Sequence, residues 1–350
     1  MVYDVIIIGG GQSGLAVGYF LRRTGLNYLI LDAENHAGGA WQHYWPSLQL
    51  FSPAQWSSLP GIPMPGGTEH YPTQQEAVDY FEHYESKYKL NIERPVKVES
   101  MDFENGIYQI NTSAGQYQSK TIVGATGSFT NPIVPKITGI ESFEGKVLHA
   151  SEYKLPDGFK GHKVAIIGEG NSGAQILAEV SKTAETYWIT KKPPEFLPDH
   201  VDGQYLFDAA TQLYEAKKRG RSSIPPSLGE IVMVPALKEA RQRGVLNHYS
   251  EIDHFTKDGA ELMDGAELQF DAAIFCTGYV SELRFLKNLP VTIRHHKIPT
   301  YGTKSRELPG LWMVGYGSWT GFASATVIGV GRSAKTTVAE IIEYVRELDS

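Results

Sequence analysis

Apolar runs near the start and the middle of the chain are each followed by a glycine-rich turn and then by a segment with helical spacing. The first run covers residues 5–8 and precedes Gly9-Gly10-Gly11-Gln12-Ser13-Gly14. The second covers residues 164–167 and precedes Gly168-Glu169-Gly170-Asn171-Ser172-Gly173. Both turns match GxGxxG between a buried strand and a helix, where glycines let the backbone approach a pyrophosphate and the helix N-terminus offers free N–H groups. Two such units predict two bound dinucleotides, with electrons passing between them.

The first unit predicts a helix over residues 13–23 and a second strand over residues 28–31 that ends at Asp32. Asp32 lies 23 positions after Gly9, which is near the spacing at which a carboxylate accepts the hydroxyls of an adenosine ribose. FAD leaves these hydroxyls free, so an acid here favours FAD. The alternative is that Asp32 only caps a helix or a turn.

The second unit predicts a strand from residue 163, a helix over residues 172–181 and a strand over residues 187–190. The same count from Gly168 leads to Lys191, which Lys192 follows. A lysine at this position attracts the 2′-phosphate of NADPH, whereas an acid would repel it. The alternative is that both lysines are ordinary surface residues.

The remaining pattern completes an α/β fold. It predicts a helix over residues 74–88, an antiparallel meander over 97–103, 107–112 and 117–122, helical segments over 204–243, a last strand over 311–314 and a closing helix that opens with residues 320–326. Residues 45–72 are rich in Pro, Ser and aromatic residues, which predicts a loop over a cofactor.

Two similar turns flank the second unit, Ala125-Thr126-Gly127 and Thr277-Gly278-Tyr279. Each follows a predicted strand, so the pair indicates crossings into and out of an inserted domain. We therefore predict two Rossmann-like dinucleotide-binding domains. A discontinuous FAD-binding domain covers residues 1–155 and 275–350, and an NAD(P)H-binding domain over residues 156–274, with a helical insertion at about 200–245, is inserted into it.

Composition excludes several classes of protein. The 350 residues carry a net charge of −7, which argues against nucleic acid as a partner because phosphate binding needs a basic face. A single cysteine, Cys276, allows no disulfide framework, zinc cage, iron–sulfur cluster or redox pair of a flavin disulfide reductase, and we predict no metal. No apolar run reaches the roughly 18 residues of a membrane span, and the first residues lack a basic signal region. We expect a cytoplasmic protein.

Residues 143–154 fit the pattern FxGxxxHxxxY(K), with Phe143, Gly145, His149 and Tyr153 at its fixed positions. This pattern identifies flavin-containing monooxygenases, and the chain resembles their compact bacterial members over essentially its whole length. Baeyer–Villiger relatives usually end the pattern in Trp followed by Pro or Asp. Tyr153-Lys154 therefore favours the branch that oxidises heteroatoms.

The resemblance implies a fixed order of events. NAD(P)H gives a hydride to flavin N5, and the reduced flavin takes up O2 at C4a to form a hydroperoxide that a soft nucleophile attacks. The implied substrates are small nucleophiles, namely sulfides, which give sulfoxides, and amines. Ketones, which react at their carbonyl carbon in a Baeyer–Villiger reaction, are a further implied class. The alternative is an NAD(P)H oxidase or reductase that releases hydrogen peroxide, and two complete turns disfavour a nucleotide-bound sensor without activity. A homodimer is in keeping with the family.

The candidate site residues follow from these motifs. FAD is expected to contact Gly9, Gly11, Gly14, Asp32, Trp41, Ala125, Thr126, Gly127, Thr320 and Phe322, with Trp45 and Trp319 as further candidates for the flavin pocket. NADPH or NADH is expected to contact Gly168, Gly170, Ser172, Gly173, Lys191 and Lys192.

Two residues are the catalytic candidates. Asn171 lies inside the second glycine turn, where it can contact the nucleotide or the flavin edge. Ser52 lies in the loop where family members place an asparagine beside the flavin. Lys191 stands where strictly NADPH-dependent relatives usually carry arginine. Because lysine lacks the planar fork of arginine, we expect mixed use of NADH and NADPH.

Overall fold

The computed structural model describes residues 1–199, 201, 212, 219, 230–348 and 350. The α-helices in this part of the chain are α1 (Gln12–Leu21), α2 (Gln74–Tyr88), α3 (Asn171–Val180), α4 (Pro235–Gln242) and α5 (Val327–Leu348). Short 3-10 helices cover Gly39–His43, Ala54–Trp56, Ile140–Ser142, Pro156–Phe159, Arg284–Leu286 and Gly317–Trp319. Among the described helices, none has both the length and the apolar run that a bilayer crossing requires.

Seventeen strands lie in the described residues. They are β1 (Val2–Ile8), β2 (Tyr28–Leu31), β3 (Ile92–Glu93), β4 (Val98–Glu104), β5 (Ile107–Thr112), β6 (Gly115–Gly124), β7 (Lys146–His149), β8 (Lys163–Ile167), β9 (Glu185–Ile189), β10 (His248–Tyr249), β11 (Ile252–Phe255), β12 (Gly259–Leu262), β13 (Glu267–Gln269), β14 (Ala272–Phe275), β15 (Thr300–Tyr301), β16 (Lys304–Ser305) and β17 (Leu311–Met313).

These strands form two sheets that are built around parallel strands, which we call the parallel sheets, and one small antiparallel sheet. The outer strands β4, β5, β15 and β16 of the first sheet pair antiparallel. The first sheet has the order β15-β16-β17-β6-β1-β2-β3, with β5 beside β6 and β4 beside β5. The second has the order β10-β9-β8-β14-β7 and is parallel throughout. Strands β11, β12 and β13 form the third sheet. The two parallel sheets confirm the predicted α/β class.

Alternate side chains of β1 enter two different cores. Val5 and Ile7 pack with α1 and α5, whereas Ile6 and Ile8 face the layer that holds β4 and β5. All four are almost completely buried. Because both faces of the strand are covered, its sequence is a continuous apolar run rather than an alternation of apolar and polar residues.

The same arrangement recurs in the second sheet. Val164 and Ile166 of β8 pack with α3 and α4, whereas Ala165 and Ile167 face the small antiparallel sheet. Each parallel sheet is therefore covered by helices on one face and by antiparallel strands on the other. The two halves of the molecule share one architecture.

Two chain segments connect the sheets and run side by side. The amide of Ile133 donates to the carbonyl of Gly278 at 2.9 Å, and the amide of Val280 donates to the carbonyl of Asn131 at 3.0 Å. The first segment leaves β6 and the second leaves β14, so the two turns that the sequence singles out do lead from one sheet to the other.

The structure differs from the sequence prediction in two places. Strand β7 pairs with β14 in the second sheet, whereas the predicted boundary between the FAD-binding and NAD(P)H-binding domains lies at residue 155. The sequence of a four-residue strand does not indicate which sheet the strand joins. The closing helix begins at Val327, and residues 320–326 form turns before it. Of the helical insertion, α4 is described, and most of the segment lies outside the described residues.

Candidate active site

A cavity of about 700 Å³ runs along the first glycine turn. Its wall brings together the end of β1, the end of β2, the 3-10 helix Gly39–His43 and the turn after β6. The residues that line it include Gly9, Gly11, Asp32, Trp41, Ala125, Thr126 and Gly127. Seven of the ten residues expected at FAD therefore line one cavity.

The first turn is closely packed on the protein side and open on the cavity side. A Cβ on Gly9 would lie 2.5 Å from the carbonyl oxygen of Ala125, and one on Gly14 would collide with the carbonyl oxygen of Gly9. Helix α1 begins after Gly11 with no side-chain cap. Because the first N–H groups of a helix need partners, this bare N-terminus beside a cavity fits a pyrophosphate.

Asp32 is anchored by an arginine that the sequence does not single out. Arg94 Nε donates to Asp32 Oδ2 at 2.9 Å, and its two terminal nitrogens donate to the Glu85 carboxylate at 2.8 and 2.9 Å. Burial opposes the charge of Arg94, but the hydrogen bonds to Glu85 and Asp32 outweigh it and raise the pKa of Arg94. Asp32 is itself 4% exposed, so its carboxylate is held in place at the cavity wall.

Trp41 is held to the start of α1. Its Nε1 donates to Gln12 Oε1 at 3.1 Å, and Gln12 Nε2 donates in turn to the carbonyl of Ala325 at 2.7 Å. Ala325 also lines the cavity. The chain Trp41–Gln12–Ala325 thus joins three segments around the bare helix end.

Several predicted flavin contacts lie away from the cavity wall. The hydroxyl of Thr320 bonds within its own turn, to the Gly317 carbonyl at 3.2 Å and to Ser324 Oγ at 2.9 Å. Phe322 and Ser52 also lie outside the described lining. From the segment before α5, Gly315 and Ala325 belong to the described lining.

The two tryptophan candidates are packed residues. Trp45 is 1% exposed and lies in the core of the second sheet. Trp319 packs against Tyr316 with a ring separation of 5.4 Å. Neither belongs to the described lining of the cavity.

The turn after β6 is fixed by a buried tyrosine. Tyr316 Oη accepts from the amide of Thr126 at 3.1 Å and lies 2.7 Å from Thr126 Oγ1. Burial raises the pKa of Tyr316, so its hydroxyl stays protonated. This contact holds Ala125-Thr126-Gly127 against the cavity.

The second glycine turn repeats the geometry of the first. Gly168 has a φ of +132°, and a Cβ there would collide with the carbonyl oxygen of Cys276. Helix α3 begins after Gly170 with no side-chain cap, and a Cβ on Gly170 would meet no described atom within 4 Å. Ser172 and Gly173 lie in the first turn of α3. This turn has the same fit for a pyrophosphate as the first.

The side chain of Asn171 forms hydrogen bonds to the backbone of a neighbouring segment. Its Oδ1 accepts from the amide of Val232 at 3.0 Å, and its Nδ2 donates to the carbonyl of Glu230 at 3.3 Å. These bonds fasten residues 230–232 to the start of α3. A contact from Asn171 to a nucleotide stays a prediction.

Lys191 and Lys192 follow the end of β9 and are exposed. Lys191 Nζ lies 3.1 Å from Glu251 Oε1. Counting from Gly168 therefore leads to a lysine at the edge of the second sheet. The count does not reveal the Glu251 carboxylate, because Glu251 follows a different strand.

The residues of the FxGxxxHxxxY pattern stabilise the second sheet. Phe143 packs against Phe255 and Phe270, and a Cβ on Gly145 would lie 2.6 Å from the carbonyl of Asp271. Tyr153 is 1% exposed, and its hydroxyl donates to Glu179 Oε2 at 3.0 Å. These contacts fix the ends of β7 to β14 and α3.

His149 ties the end of β7 to the second connecting segment. Its Nδ1 accepts from the amide of Ser151 at 3.1 Å, which leaves Nε2–H to donate to the carbonyl of Gly278 at 3.2 Å. Burial lowers the pKa of His149, against the opposing effects of the Gly278 bond and of Glu152. The histidine is therefore a neutral hydrogen-bond bridge.

Aromatic rings bridge the two connecting segments above the cavity. Phe129 stacks on Tyr279 with a ring separation of 5.4 Å and meets Tyr44 edge-on at 4.8 Å. Phe129 and Tyr44 line the cavity. The cavity therefore has an apolar, aromatic end where the two halves of the molecule meet.

Comparison with known proteins shows the family to which this chain belongs. The family model described as pyridine nucleotide-disulphide oxidoreductase matches residues 6–315. A flavin-containing monooxygenase from Stenotrophomonas maltophilia has 44% identity, covers 98% of this chain and 99% of its own, and has a TM-score of 0.89. This chain belongs to that family and, within it, to the flavin-containing monooxygenases.

Other relatives agree with membership among the flavin-containing monooxygenases. An "uncharacterized oxidoreductase CzcO-like" of Geobacillus kaustophilus is 30% identical over 98% of this chain and 99% of its own. The "probable indole-3-pyruvate monooxygenase YUCCA1" of Arabidopsis thaliana is 28% identical over 99% of this chain and 91% of its own. The resemblance stated from the FxGxxxHxxxY pattern and the enzyme class are confirmed. The single cysteine still leaves this flavin-containing monooxygenase without a cysteine pair for disulfide exchange.

Proposed function

We propose that the enzyme uses FAD at the first glycine turn and NADH or NADPH at the second to oxygenate small soft nucleophiles with O2. Sulfides would give sulfoxides, with amines and ketones as further substrate classes. One oxygen atom enters the product, the other leaves as water, and NAD(P)H supplies two electrons. The observation that carries the proposal is the pair of bare helix ends on glycine turns, one of them in a cavity with Asp32.

The residues of the first half would hold FAD. Gly9, Gly11 and Gly14 would let the pyrophosphate reach the N–H groups of α1, and Asp32 would accept the ribose hydroxyls. Trp41 and the turn at Thr126 would border the remainder of the cofactor. When bound, the flavin supplies the hydride acceptor and the site of O2 activation.

The residues of the second half would hold the nicotinamide dinucleotide. Gly168, Gly170, Ser172 and Gly173 would receive its pyrophosphate at the start of α3, and Lys191 with Lys192 would face a 2′-phosphate. On this assignment the FAD-binding domain is the half with the first sheet, and the NAD(P)H-binding domain is the half with the second.

The aromatic end of the cavity supports an apolar substrate. Tyr44 and Phe129 place ring surface there, and apolar walls keep water away from a reacting group. Aryl methyl sulfides combine a soft sulfur with an aromatic ring, so they are the first substrates to test. Ser52 and Phe322 have no part in this proposal, because neither lies in the described lining.

The test is aerobic consumption of NADH and NADPH by the purified protein with and without methyl phenyl sulfide. We expect sulfoxide in an amount equal to the nucleotide oxidised, with catalase present to remove any oxidation by free peroxide. Nucleotide oxidation without sulfoxide, with peroxide that accumulates when catalase is left out, would support the oxidase alternative. A protein that neither binds FAD nor oxidises either nucleotide would overturn the proposal. Light scattering in the same preparation tests for a homodimer.

A further inference from the structure

Lys191 and Glu251 are brought together by the register of two neighbouring parallel strands. Strand β9 ends at Ile189 and β10 ends at Tyr249, and these two residues are register partners. Lys191 and Glu251 each follow their strand end by two residues, so they leave the sheet edge at the same level. Their side chains meet with an Nζ–Oε1 distance of 3.1 Å.

The backbone at both strand ends is fixed. The amide of Thr190 donates to the carbonyl of Tyr249 at 3.1 Å, and the amide of Met263 donates to the carbonyl of Glu251 at 2.8 Å. The Thr190 hydroxyl lies 3.2 Å from His248 Nδ1. The side chains themselves are 67% and 40% exposed, so a ligand can reach the lysine from solvent.

The pair therefore has a consequence for the second nucleotide site. A 2′-phosphate that binds Lys191 must share the ammonium group with Glu251 or displace it, and it also meets the repulsion of the carboxylate. A nucleotide with free ribose hydroxyls meets neither effect. The carboxylate thus weakens a contact that would favour NADPH over NADH.

We propose that Glu251 is a specificity-determining residue: it competes with the 2′-phosphate for Lys191 and keeps the affinities for NADPH and NADH close to each other. This inference rests on the proposed binding of a nicotinamide dinucleotide at the second glycine turn. It assigns mixed nucleotide use to a particular ion pair rather than to the choice of lysine over arginine alone.

The test compares binding of NADP⁺ and NAD⁺ to the oxidised holoenzyme by titration calorimetry. For Glu251→Gln we expect the preference for NADP⁺ over NAD⁺ to rise about two- to tenfold, the effect of one solvent-exposed charge. The gain should shrink at high salt, because exposed charges are screened. Glu343→Gln, which removes an exposed negative charge from α5, is the control and should leave the preference unchanged.

The Lys191→Gln background separates competition from a general charge effect. If Glu251 acts by occupying Lys191, most of the gain from Glu251→Gln disappears when Lys191 is absent. An equal gain in both backgrounds, or no gain in either, would overturn the proposal. Failure of the proposed function is distinguishable, because the unaltered holoenzyme would then bind neither NAD⁺ nor NADP⁺.

Discussion

The guanidinium Nε of Arg94 lies 2.9 Å from Oδ2 of Asp32, the carboxylate at the cavity wall. The arginine side chain is 13% exposed, and Glu85 occupies its other nitrogens. One buried cation therefore joins two carboxylates from different elements. This bridge holds the Asp32 carboxylate in place at the cavity wall.

Replacing Arg94 with lysine is expected to weaken FAD binding. Lysine keeps the charge but cannot hold Asp32 and Glu85 through a planar fork, so the Asp32 carboxylate loses its fixed orientation. We expect the FAD dissociation constant to rise about tenfold, which is the effect of about 1.4 kcal/mol of lost binding free energy. Fluorescence titration of the apoprotein with FAD measures it.

Arg346→Lys is the control for this substitution, since Arg346 lies exposed on α5. Denaturant unfolding of both apoproteins shows whether the change is confined to the cofactor site. Unchanged FAD affinity in a normally folded Arg94→Lys protein would remove Arg94 from this role.

Gly170→Ala is expected to block the nicotinamide nucleotide while leaving the fold intact. The added methyl meets no described protein atom within 4 Å, but it would occupy the space that the pyrophosphate needs at the start of α3. We expect normal FAD content and unfolding midpoint, with affinity for NAD⁺ and NADP⁺ reduced at least about tenfold. Calorimetric titration of the holoenzyme measures both affinities.

Two other glycines make this prediction specific. Gly158→Ala also adds a methyl that meets no described atom within 4 Å and should change nothing. Gly168→Ala places a methyl against the Cys276 carbonyl at a positive φ and should lower stability. Normal nucleotide affinity in Gly170→Ala would contradict the assignment of the second turn.

Stability is expected to depend on His149 at mildly acidic pH. Burial lowers the pKa of His149 in the folded protein, so below about pH 6.5 the unfolded chain takes up a proton that the folded chain resists. The free energy of unfolding should therefore fall as the pH drops through that range, and the fall should end below the folded pKa. Urea unfolding between about pH 8 and pH 5 measures the slope.

His149→Gln keeps a donor near Gly278 but has no titrating group, so its slope should be smaller. His254→Gln is the control of opposite sign, because a hydrogen bond to Asp253 raises the pKa of that exposed histidine. Its stabilising effect is present below about pH 6.5 and disappears as the pH rises. Identical slopes in all three proteins would show that His149 is not buried as a neutral group.

Cys276 is expected to react slowly in the folded protein. Burial raises the pKa of its thiol to about 12, and only the thiolate is an effective nucleophile. Iodoacetamide at about pH 8 should therefore modify the native enzyme far more slowly than the urea-unfolded chain. Mass spectrometry of timed samples follows the reaction, and equal rates in both states would contradict the burial.

Local patterns predicted the parts of the fold that depend on neighbours in sequence. Strands β1 and β8 with their turns and helices are predictable because a buried strand, a glycine turn and a helix follow one another along the chain. The position of Asp32 at the end of β2 could be predicted from its distance along the chain to Gly9 for the same reason. The helix α2 was predicted with the bounds that the structure has, since its apolar positions recur with helical spacing.

Long-range partners could not be predicted from these patterns. Arg94 is 62 positions from Asp32, and Gly278 is 129 positions from His149, so no spacing rule connects them. The sequence also does not show that the hydroxyl of Thr320 is satisfied within a tight turn, and its contact with the flavin stays a prediction. The backbone path of such a turn depends on what packs around it.

The paired connecting segments have a mechanical consequence. Two segments that are hydrogen-bonded to each other form a short ladder, in which neither segment can turn away from the other without breaking those hydrogen bonds. The bonds from Ile133 to Gly278 and from Val280 to Asn131 form such a ladder. One segment therefore cannot move independently of the other while these bonds hold, so any movement of one half of the enzyme relative to the other carries both segments together.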